Sequence, residues 1–323
     1  MKANLSHYLF HAPSKRIALA LTMGFTLQQA SAQNPYLPLW EYIPDGEPYV
    51  FEDPDCPGKK RVYIYGSHDT MIDGYCGREL VTWSATPDSL DHWRYEGIIF
   101  EVNKNAKGEY LDANHLSDVL YAPDIVEMVD KDGKKTYYLY PNNQCGGRNG
   151  MVAKADRPDG PFEVINWSKD KPFETVGDLR FDPAVFCDDD GKVYAYWGFE
   201  EAYVGELDPK TMATIIPGTE KKCYINGYKQ PGIFRFFEAS SIRKIKDKYV
   251  LIYSRFTGEG EFGLPMSNYT LAYAYSNSPM GPFTYGGTII DGRGRDYNLS
   301  GTPIPTATPD GNTHGSICEI NGQ

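Results

Sequence analysis

From residue 181 to residue 199 the chain has the sequence Phe-Asp-Pro-Ala-Val-Phe-Cys-Asp-Asp-Asp-Gly-Lys-Val-Tyr-Ala-Tyr-Trp-Gly-Phe. An acidic residue, Asp182, precedes a short apolar run, an Asp/Gly turn and an alternating aromatic run. Two such runs joined by an Asp-Gly turn are typical of a β-hairpin. The stretch therefore predicts two antiparallel strands with a carboxylate at the start of the first strand.

The same pattern of polar head, apolar run and turn occurs four more times, with heads at Asp45, Asp124, Glu238 and His314. The five heads recur at uneven intervals of about 55 to 80 residues, and repeats of this size are typical of propeller blades. Because the innermost strands of a propeller line its axis, we expect the heads to meet at one end of that axis. Five unrelated hairpins in a β-sandwich are the alternative.

A second repeat supports four-stranded units. Residues 153–162 (AKADRPDGPF) match residues 274–283 (AYSNSPMGPF), and residues 82–88 are a looser copy. Each predicts an outer hairpin with a Pro/Gly turn. The chain ends at Gln323, directly after the turn residues of its fifth unit. The sequence thus predicts an all-β fold, a five-bladed β-propeller with the fifth blade incomplete.

Residues 1–32 have the features of a secretory signal peptide. Lys15-Arg16 precede an apolar run over residues 17–27, and Ala30-Ser31-Ala32 form a cleavage site before Gln33. The run is shorter than the roughly 20 apolar residues of a membrane span. We expect an exported chain without a membrane span, with residues 33–323 as one propeller domain. A retained N-terminal anchor is the alternative.

The composition argues against several classes of partner. The net charge is −11, and loss of residues 1–32, which hold three basic and no acidic residues, makes it more negative. An acidic chain without a basic stripe argues against nucleic acid and anionic lipid partners. The six cysteines follow no metal-binding spacing, and disulfides and free thiols both stay open. Aromatic residues make up 14%, which suits propeller strands and sugar-stacking surfaces alike.

Several carboxylates in one pocket cannot all keep ordinary pKa values, because like charges and burial raise some of them. Hydrolysis of a glycosidic bond uses one protonated and one ionised carboxyl group. A single Asp or Glu is more commonly a strand-end residue with satisfied hydrogen bonds. Five heads in register favour a shared site instead.

From about Asn34 to its last residue, the chain resembles the glycoside hydrolases of family 43, which are five-bladed β-propellers. The resemblance is carried by five elements in order, with Tyr121 in place of a family Trp: Asn34-Pro35 with residues 43–48 (IPDGEP), residues 121–124 (YAPD), Asp182-Pro183 with residues 189–191 (DDG), residues 237–240 (FEAS) and residues 313–316 (THGS).

The resemblance implies catalytic roles. Asp45 would be the general base, Glu238 the general acid, and Asp182 the residue that raises the pKa of the acid and positions it. Family members invert the anomeric configuration, which implies carboxyl groups about 6.5–9.5 Å apart. Many members have Asp-Pro where this chain has Asp45-Gly46-Glu47-Pro48, so Glu47 or Asp53 stays open as the base.

The resemblance also implies ligands. His314 resembles a family histidine near a central calcium or water cluster, so we expect at most a weak or indirect calcium site. Asp124 would be a pocket-wall residue. Four further candidates for sugar binding, each also explained by blade packing, are Tyr65, His68, Trp197 and Phe237.

We expect an oligo- or polysaccharide substrate of plant type with arabinofuranosyl, xylosyl or related linkages. A carbohydrate-binding propeller without catalysis is the alternative, as is an inactive fragment of the enzyme. Exo and endo action both stay open. Because the fifth unit stops after Asn321-Gly322, we expect a truncated form of a longer enzyme, short by at least three strands.

Overall fold

The computed structural model describes residues 36–70, 76–110, 118–143, 150–268, 270–292, 295–305 and 313–323. The chain divides into two compact units, Met1–Pro38 and Leu39–Gln323. Of the first unit only residues 36–38 are described, without helix or strand, and the predicted signal peptide lies outside the described residues. The second unit contains the sheets.

In the described part of the chain, sixteen strands form four antiparallel sheets, each a meander of four consecutive strands. Blade 1 comprises β1 (Glu47–Glu52), β2 (Lys60–Tyr65), β3 (Glu79–Ala85) and β4 (Arg94–Glu101). Blade 2 comprises β5 (Asp124–Val129), β6 (Lys135–Tyr140), β7 (Ala153–Ala155) and β8 (Glu163–Val164). Blade 3 comprises β9 (Ala184–Cys187), β10 (Val193–Trp197), β11 (Tyr203–Leu207) and β12 (Lys221–Lys222). Blade 4 comprises β13 (Phe236–Ile245), β14 (Lys248–Arg255), β15 (Thr270–Ser276) and β16 (Thr284–Asp291).

Two smaller elements accompany the blades. A short 3-10 helix spans Glu261–Gly263, between β14 and β15. After blade 4, β17 (Arg295–Tyr297) and β18 (Pro303–Pro305) form a separate two-stranded hairpin.

The predicted hairpins are confirmed in all four blades. In blade 3, β9 and β10 pair antiparallel with Phe186 opposite Tyr194. Their turn closes through the Gly191 N–H, which donates to the carbonyl oxygen of Asp188 at 2.9 Å. Gly191 has φ 81°, a conformation that favours glycine. The outer hairpins at residues 82–88, 153–162 and 274–283 join β3 to β4, β7 to β8 and β15 to β16.

Packing between neighbouring blades forms the core. One cluster of buried side chains, including Phe51, Tyr65 and Leu139, lies between blades 1 and 2. A second, including Tyr140 and Trp197, joins blades 2 and 3. A third joins blades 3 and 4 and contains Tyr196, Phe236 and Tyr253 among others. Large aromatic rings fill these gaps because sheets packed face to face lie about 10 Å apart.

Blades 4 and 1 are connected in a different way, through a buried ion pair and the final segment. Arg243 of β13 donates to Glu47 of β1 at 2.7 Å and to Ser316 Oγ at 3.0 Å. The Arg243 guanidinium also lies 4.1 Å from the centre of the Tyr49 ring. At the outer edge, the Asn321 side chain donates to Asp88 at 2.8 Å. Side chains on the final segment therefore bridge the first and fourth blades.

The prediction of an inner strand at residues 314–320 is wrong for the described chain. Residues 313–320 are neither helix nor strand, and only the turn at Asn321-Gly322 is as expected. A strand requires a ladder of backbone hydrogen bonds with a neighbour. No strand of the described residues pairs with this segment, so it is held by side-chain contacts. The described propeller has four complete blades, not five.

Two other findings bear on the sequence-based expectations. Within the described ranges no helix is long and apolar enough to cross a membrane. The five cysteines that the structure describes are free thiols, namely Cys56, Cys76, Cys187, Cys223 and Cys318.

Candidate active site

Four of the five predicted heads meet at one end of the propeller. Asp45 Oδ1 lies 3.7 Å from Nδ1 of His314. Asp182 is close enough to both groups for their charges to change its pKa. Glu238 in turn responds to the charges of Asp182, His314 and Asp45. The structure thus places three carboxyl groups around one imidazole.

Asp45 is the most accessible of these carboxylates, with its side chain 25% exposed. Its Oδ2 accepts a hydrogen bond of 2.5 Å from the hydroxyl of Ser67, which follows β2. The Ser67 oxygen accepts in turn from the N–H of Ala122 at 2.8 Å. Asp45 is therefore held by blade 1 and by the segment that leads into blade 2, while water can still reach it.

The backbone around the site is strained. Five residues other than glycine have positive φ: Asp45 (60°), Ala122 (31°), Asn142 (48°), Asp182 (46°) and Ala239 (61°). L-residues rarely adopt these angles, and each costs about 1–3 kcal/mol, which the surrounding contacts must offset. Such residues cluster at functional sites. Here Asp45, Ala122 and Asp182 come just before the first strands of blades 1, 2 and 3.

Asp182 is buried and hydrogen-bonded. Its Oδ1 accepts from the Asn142 side chain at 2.8 Å, and its relative exposure is 6%. Burial raises its pKa to about 6, with a further increase from the charge of Asp45, while His314, Asn142 and the Ala239 N–H act in the opposite direction. Asp182 is therefore mostly ionised at neutral pH.

Glu238 lies near the start of β13, where the register with β14 shifts on both sides of it. Its exposure is 3%. Burial raises its pKa to about 8, and the charge of Asp182 is the second cause. Glu238 therefore holds a proton at neutral pH, mainly because it is desolvated and additionally because an ionised carboxylate is its neighbour.

His314 is the cation of the site. Its side chain is 6% exposed, and its Nε2 lies 3.5 Å from Oε1 of Glu47. Burial opposes the charged imidazole, but Glu47, Asp45 and Asp182 outweigh that effect and raise its pKa to about 9. A protonated His314 partly balances the carboxylates around it.

Glu47 and Asp53, the two alternative candidates for the general base, are in different environments from Asp45. Glu47 is 1% exposed and is ion-paired with Arg243, whose charge helps to lower the pKa of Glu47 against the effect of burial. Asp53 follows the far end of β1, with Arg61 at 3.6 Å. Neither carboxylate has the open position of Asp45, so the geometry favours Asp45 as the base.

Asp124 connects three blades. It accepts from the Tyr49 hydroxyl of blade 1 at 2.6 Å and from the Val185 N–H of blade 3 at 2.7 Å. Burial raises its pKa to about 7, with a contribution from the charge of Glu47. Its buried contacts are those of a blade-linking residue, not of a pocket wall.

Two of the proposed sugar-binding rings lie away from the pocket. Tyr65 is fully buried and donates to the carbonyl oxygen of Pro158 at 2.8 Å. Trp197 is 4% exposed and stacks on Tyr203 with ring centres 5.7 Å apart. Strand residues alternate between the two faces of a blade, and these two face a neighbouring blade. Neither ring offers a surface to a sugar, which corrects that expectation.

The other two candidates lie nearer the site. His68 follows Ser67 and has its Nε2 3.2 Å from Oε1 of Glu41. Phe237 directly precedes Glu238 but is only 7% exposed, because it packs under Phe199 at 4.9 Å. Their roles in binding sugar stay predictions.

Sequence reasoning missed Ser67 and Asn142, which orient Asp45 and Asp182. Each follows the second strand of its blade, β2 or β6. Their position in the sequence was the available signal, since each lies two residues after the end of an aromatic strand. A Ser or Asn at such a position is common in loops, so the residue type alone did not mark it.

The acidic residues around His314 raise the question of a metal site. Among the described residues, no three His, Cys, Asp or Glu side chains are grouped so that they could hold one metal ion. Calcium takes six to eight oxygen ligands, and the positive charge of His314 opposes a second cation beside it. A calcium site near His314 stays a prediction.

Stability should decrease as the pH rises from 6 to 9. Asp124, Asp182, Glu238 and His314 all have raised pKa values in the folded chain, at about 7, 6, 8 and 9. In this range the folded state binds protons that the unfolded state has released, so the free energy of unfolding falls with increasing pH. We expect the Tm to drop by about 5 °C or more.

Thermal denaturation at constant ionic strength measures this dependence. Glu238→Gln removes one of the titrating groups, so its Tm should vary less with pH than that of the wild type. A Tm that is constant or increases from pH 6 to 9 would contradict the raised pKa values.

Comparisons with known proteins identify the family and agree with an all-β propeller fold. Residues 49–312 match the glycosyl hydrolases family 43. A xylosidase/arabinosidase of Thermoclostridium stercorarium is 35% identical over 90% of this chain, which spans 59% of that relative's length. An α-L-arabinofuranosidase from Clostridium thermocellum has a TM-score of 0.55 and 25% identity, covering 86% of this chain and 79% of that structure.

A third protein shares the fold. It is a β-xylosidase/α-arabinofuranosidase from a compost microbial metagenome, described with xylotriose in a calcium-free form. Its TM-score is 0.56 at 23% identity, covering 90% of this chain and 86% of that structure. The matches to the sequence family and to the propeller structures lead to one conclusion: the chain belongs to glycosyl hydrolase family 43.

Proposed function

We propose that this chain is an inverting glycoside hydrolase that cleaves arabinofuranosyl, xylosyl or related linkages of plant-type oligo- and polysaccharides. The observation that carries the proposal is the pairing of a buried, protonated Glu238 with a solvent-accessible Asp45 across one site. The relatives named xylosidase/arabinosidase and α-L-arabinofuranosidase support the choice of sugars.

In the proposed reaction, the Glu238 carboxyl group donates its proton to the glycosidic oxygen. The Asp45 carboxylate takes a proton from a water molecule, whose oxygen attacks the anomeric carbon as the bond to the leaving oxygen breaks. The products are an alcohol and a sugar of inverted configuration, with Glu238 ionised and Asp45 protonated. We expect the two carboxyl groups to be about 6.5–9.5 Å apart, which leaves room for the water.

Two ionisable side chains, Asp182 and His314, are neighbours of the proposed acid and base. The negative charge of Asp182 keeps the proton on Glu238 before the reaction. The imidazole Nδ1 of His314 lies 3.7 Å from Oδ1 of Asp45, the proposed base. The proposed acid thus has a carboxylate as its neighbour, whereas the proposed base has an imidazole beside it.

Removal of either carboxyl group should strongly reduce the rate of hydrolysis. We expect Glu238→Gln and Asp45→Asn each to reduce turnover of arabino- or xylo-oligosaccharides by about 10²–10⁴-fold, the usual contribution of general acid or base catalysis. Product release measured by chromatography tests this, and NMR of the first-formed anomer tests inversion.

Asp132→Asn is a matched control, since it makes the same carboxyl-to-amide change in the exposed β5–β6 turn. Near-normal turnover by Asp45→Asn would overturn the assignment of the base. Wild-type protein that binds these oligosaccharides without cleaving them would instead support a carbohydrate-binding propeller.

We also propose that calcium, if it binds near His314, does so weakly and through water. Support comes from the carboxylates around this end of the axis and from the naming of a calcium-free form for one protein of the same fold. Calcium at millimolar concentration should raise the Tm by a few degrees at most relative to EDTA-treated protein. Tight binding by isothermal titration calorimetry would contradict an indirect site.

We propose export as well, on the basis of Lys15-Arg16, the apolar run and the Ala30-Ser31-Ala32 cleavage site. Expression from Met1 in a secreting bacterial host should yield protein that begins at Gln33 or its pyroglutamate form. Intact-mass analysis distinguishes this product from an uncleaved chain. Secreted protein that retains Met1 would refute the cleavage prediction.

A further inference from the structure

Five aromatic rings, two of which directly precede the buried carboxyl groups in the chain, contact one another in series. The Phe199 ring lies 4.9 Å from Phe181 and 4.9 Å from Phe237. Phe256 lies 4.9 Å from Phe237 and stacks on Tyr228 at 4.2 Å. These contacts link blade 3 to blade 4 at the end of the propeller that holds the site.

Phe199 is the exposed member of the central trio. It is 46% exposed, whereas Phe237 beneath it is 7% exposed. The two rings that it contacts directly precede the buried carboxyl groups, since Phe181 precedes Asp182 and Phe237 precedes Glu238. The apolar face that Phe199 offers to solvent is therefore adjacent to the strand that presents the proposed acid.

The position of Phe199 is fixed by its neighbours. The Gly198 N–H donates to the carbonyl oxygen of Phe181 at 2.9 Å, and the Glu200 N–H donates to that of Phe237 at 2.6 Å. Gly198 has φ 134°, and a Cβ there would lie 1.9 Å from the carbonyl oxygen of Glu201. Only glycine fits at this point. The loop thus holds the Phe199 ring at a set place relative to the chain before both carboxyl groups.

A second set of contacts holds the other side of the loop. The Tyr228 hydroxyl donates to Glu200 at 3.0 Å, and Lys229 forms an ion pair with the same carboxylate. An exposed ring on a loop anchored from both sides costs little entropy when it binds a ligand. Preorganisation of this kind is a property of binding surfaces.

We propose that Phe199 determines specificity by stacking against the sugar unit on the leaving side of the bond, the unit whose oxygen Glu238 protonates. This rests on the proposed function. The leaving oxygen must lie beside Glu238 and away from Asp45, so the sugar attached to it lies over the Glu238 side of the pocket. There Phe199 offers an exposed aromatic face. A pyranose ring with an apolar C–H face, such as a xylopyranose of a xylan chain, matches that surface.

The test compares two leaving groups. Phe199→Ala should lower kcat/KM about tenfold for a xylose-containing oligosaccharide, mainly through KM. For the glycosyl fluoride of the same sugar, which has no ring on the leaving side, kcat/KM should stay within about twofold of wild type. Phe199→Tyr retains the flat ring and should keep most of the oligosaccharide activity.

Two further variants complete the design. Phe199→Leu preserves apolar packing on Phe181 and Phe237 but lacks a flat ring, so it replaces Phe199→Ala if the alanine variant does not fold. Tyr275→Ala removes an exposed ring (39% exposed) on the outer strand β15 and should change neither substrate.

The outcomes are distinguishable. Equal kcat/KM of Phe199→Ala and wild type on the oligosaccharide would overturn the proposal for Phe199. Equal losses on the oligosaccharide and the fluoride would overturn it as well, since Phe199 would then act on the reacting groups. Wild-type protein that cleaves neither substrate would refute the proposed function itself.

Discussion

Buried negative charge at the propeller axis is the constraint on which the other features depend. Five carboxyl groups lie there with two cations: Asp45, Glu47, Asp124, Asp182 and Glu238 with Arg243 and His314. Buried carboxylates that lack a partner become protonated, because desolvation penalises the ionised form. Arg243 pairs with Glu47, and its charge helps to lower the pKa of Glu47. His314 lies between Glu47 and Asp45, and Glu238 keeps its proton mainly because it is buried.

The same ion pairs contribute to closing the blades around the axis. Blades 1 to 4 are joined in sequence by three aromatic clusters. Between blades 4 and 1, Arg243, Glu47 and Ser316 form a polar contact instead. Because the final segment has no backbone ladder to a neighbouring blade among the described residues, its side chains determine its position. His314, the cation of the site, is thus in the segment that depends most on polar contacts.

Strain and substrate recognition are also connected. Residues with positive φ turn the chain at the start of the inner strands, and the Gly198 loop does the same at the end of β10. These turns place Asp182 and Glu238 at the site while the preceding rings, Phe181 and Phe237, each pack against Phe199. One backbone arrangement therefore presents both the acid and a neighbouring apolar surface.

The sequence by itself determined the hairpins, the blade order and the convergence of four polar heads, because these depend on local alternation, turn chemistry and repetition. The repeated polar heads in the sequence did not show which of these residues belong to the site and which link blades. Asp124 has the same sequence position in its unit as Asp182, yet it accepts hydrogen bonds from Tyr49 and Val185 and links blades. Likewise, alternation in β2 and β10 did not show that Tyr65 and Trp197 face a neighbouring blade, since that depends on how sheets pack.

Only the tertiary structure decided the protonation pattern and the state of the fifth unit. The raised pKa of Glu238 arises first from burial, which depends on contacts between distant blades and has no signature in local sequence. The segment after His314 has a strand-like pattern, but a strand forms only where a neighbour supplies hydrogen bonds along its edge. Ser67 contacts Asp45, 22 positions away, and Phe199 contacts Phe237, 38 positions away. Their roles therefore depend on contacts in the folded chain and not on a local sequence motif.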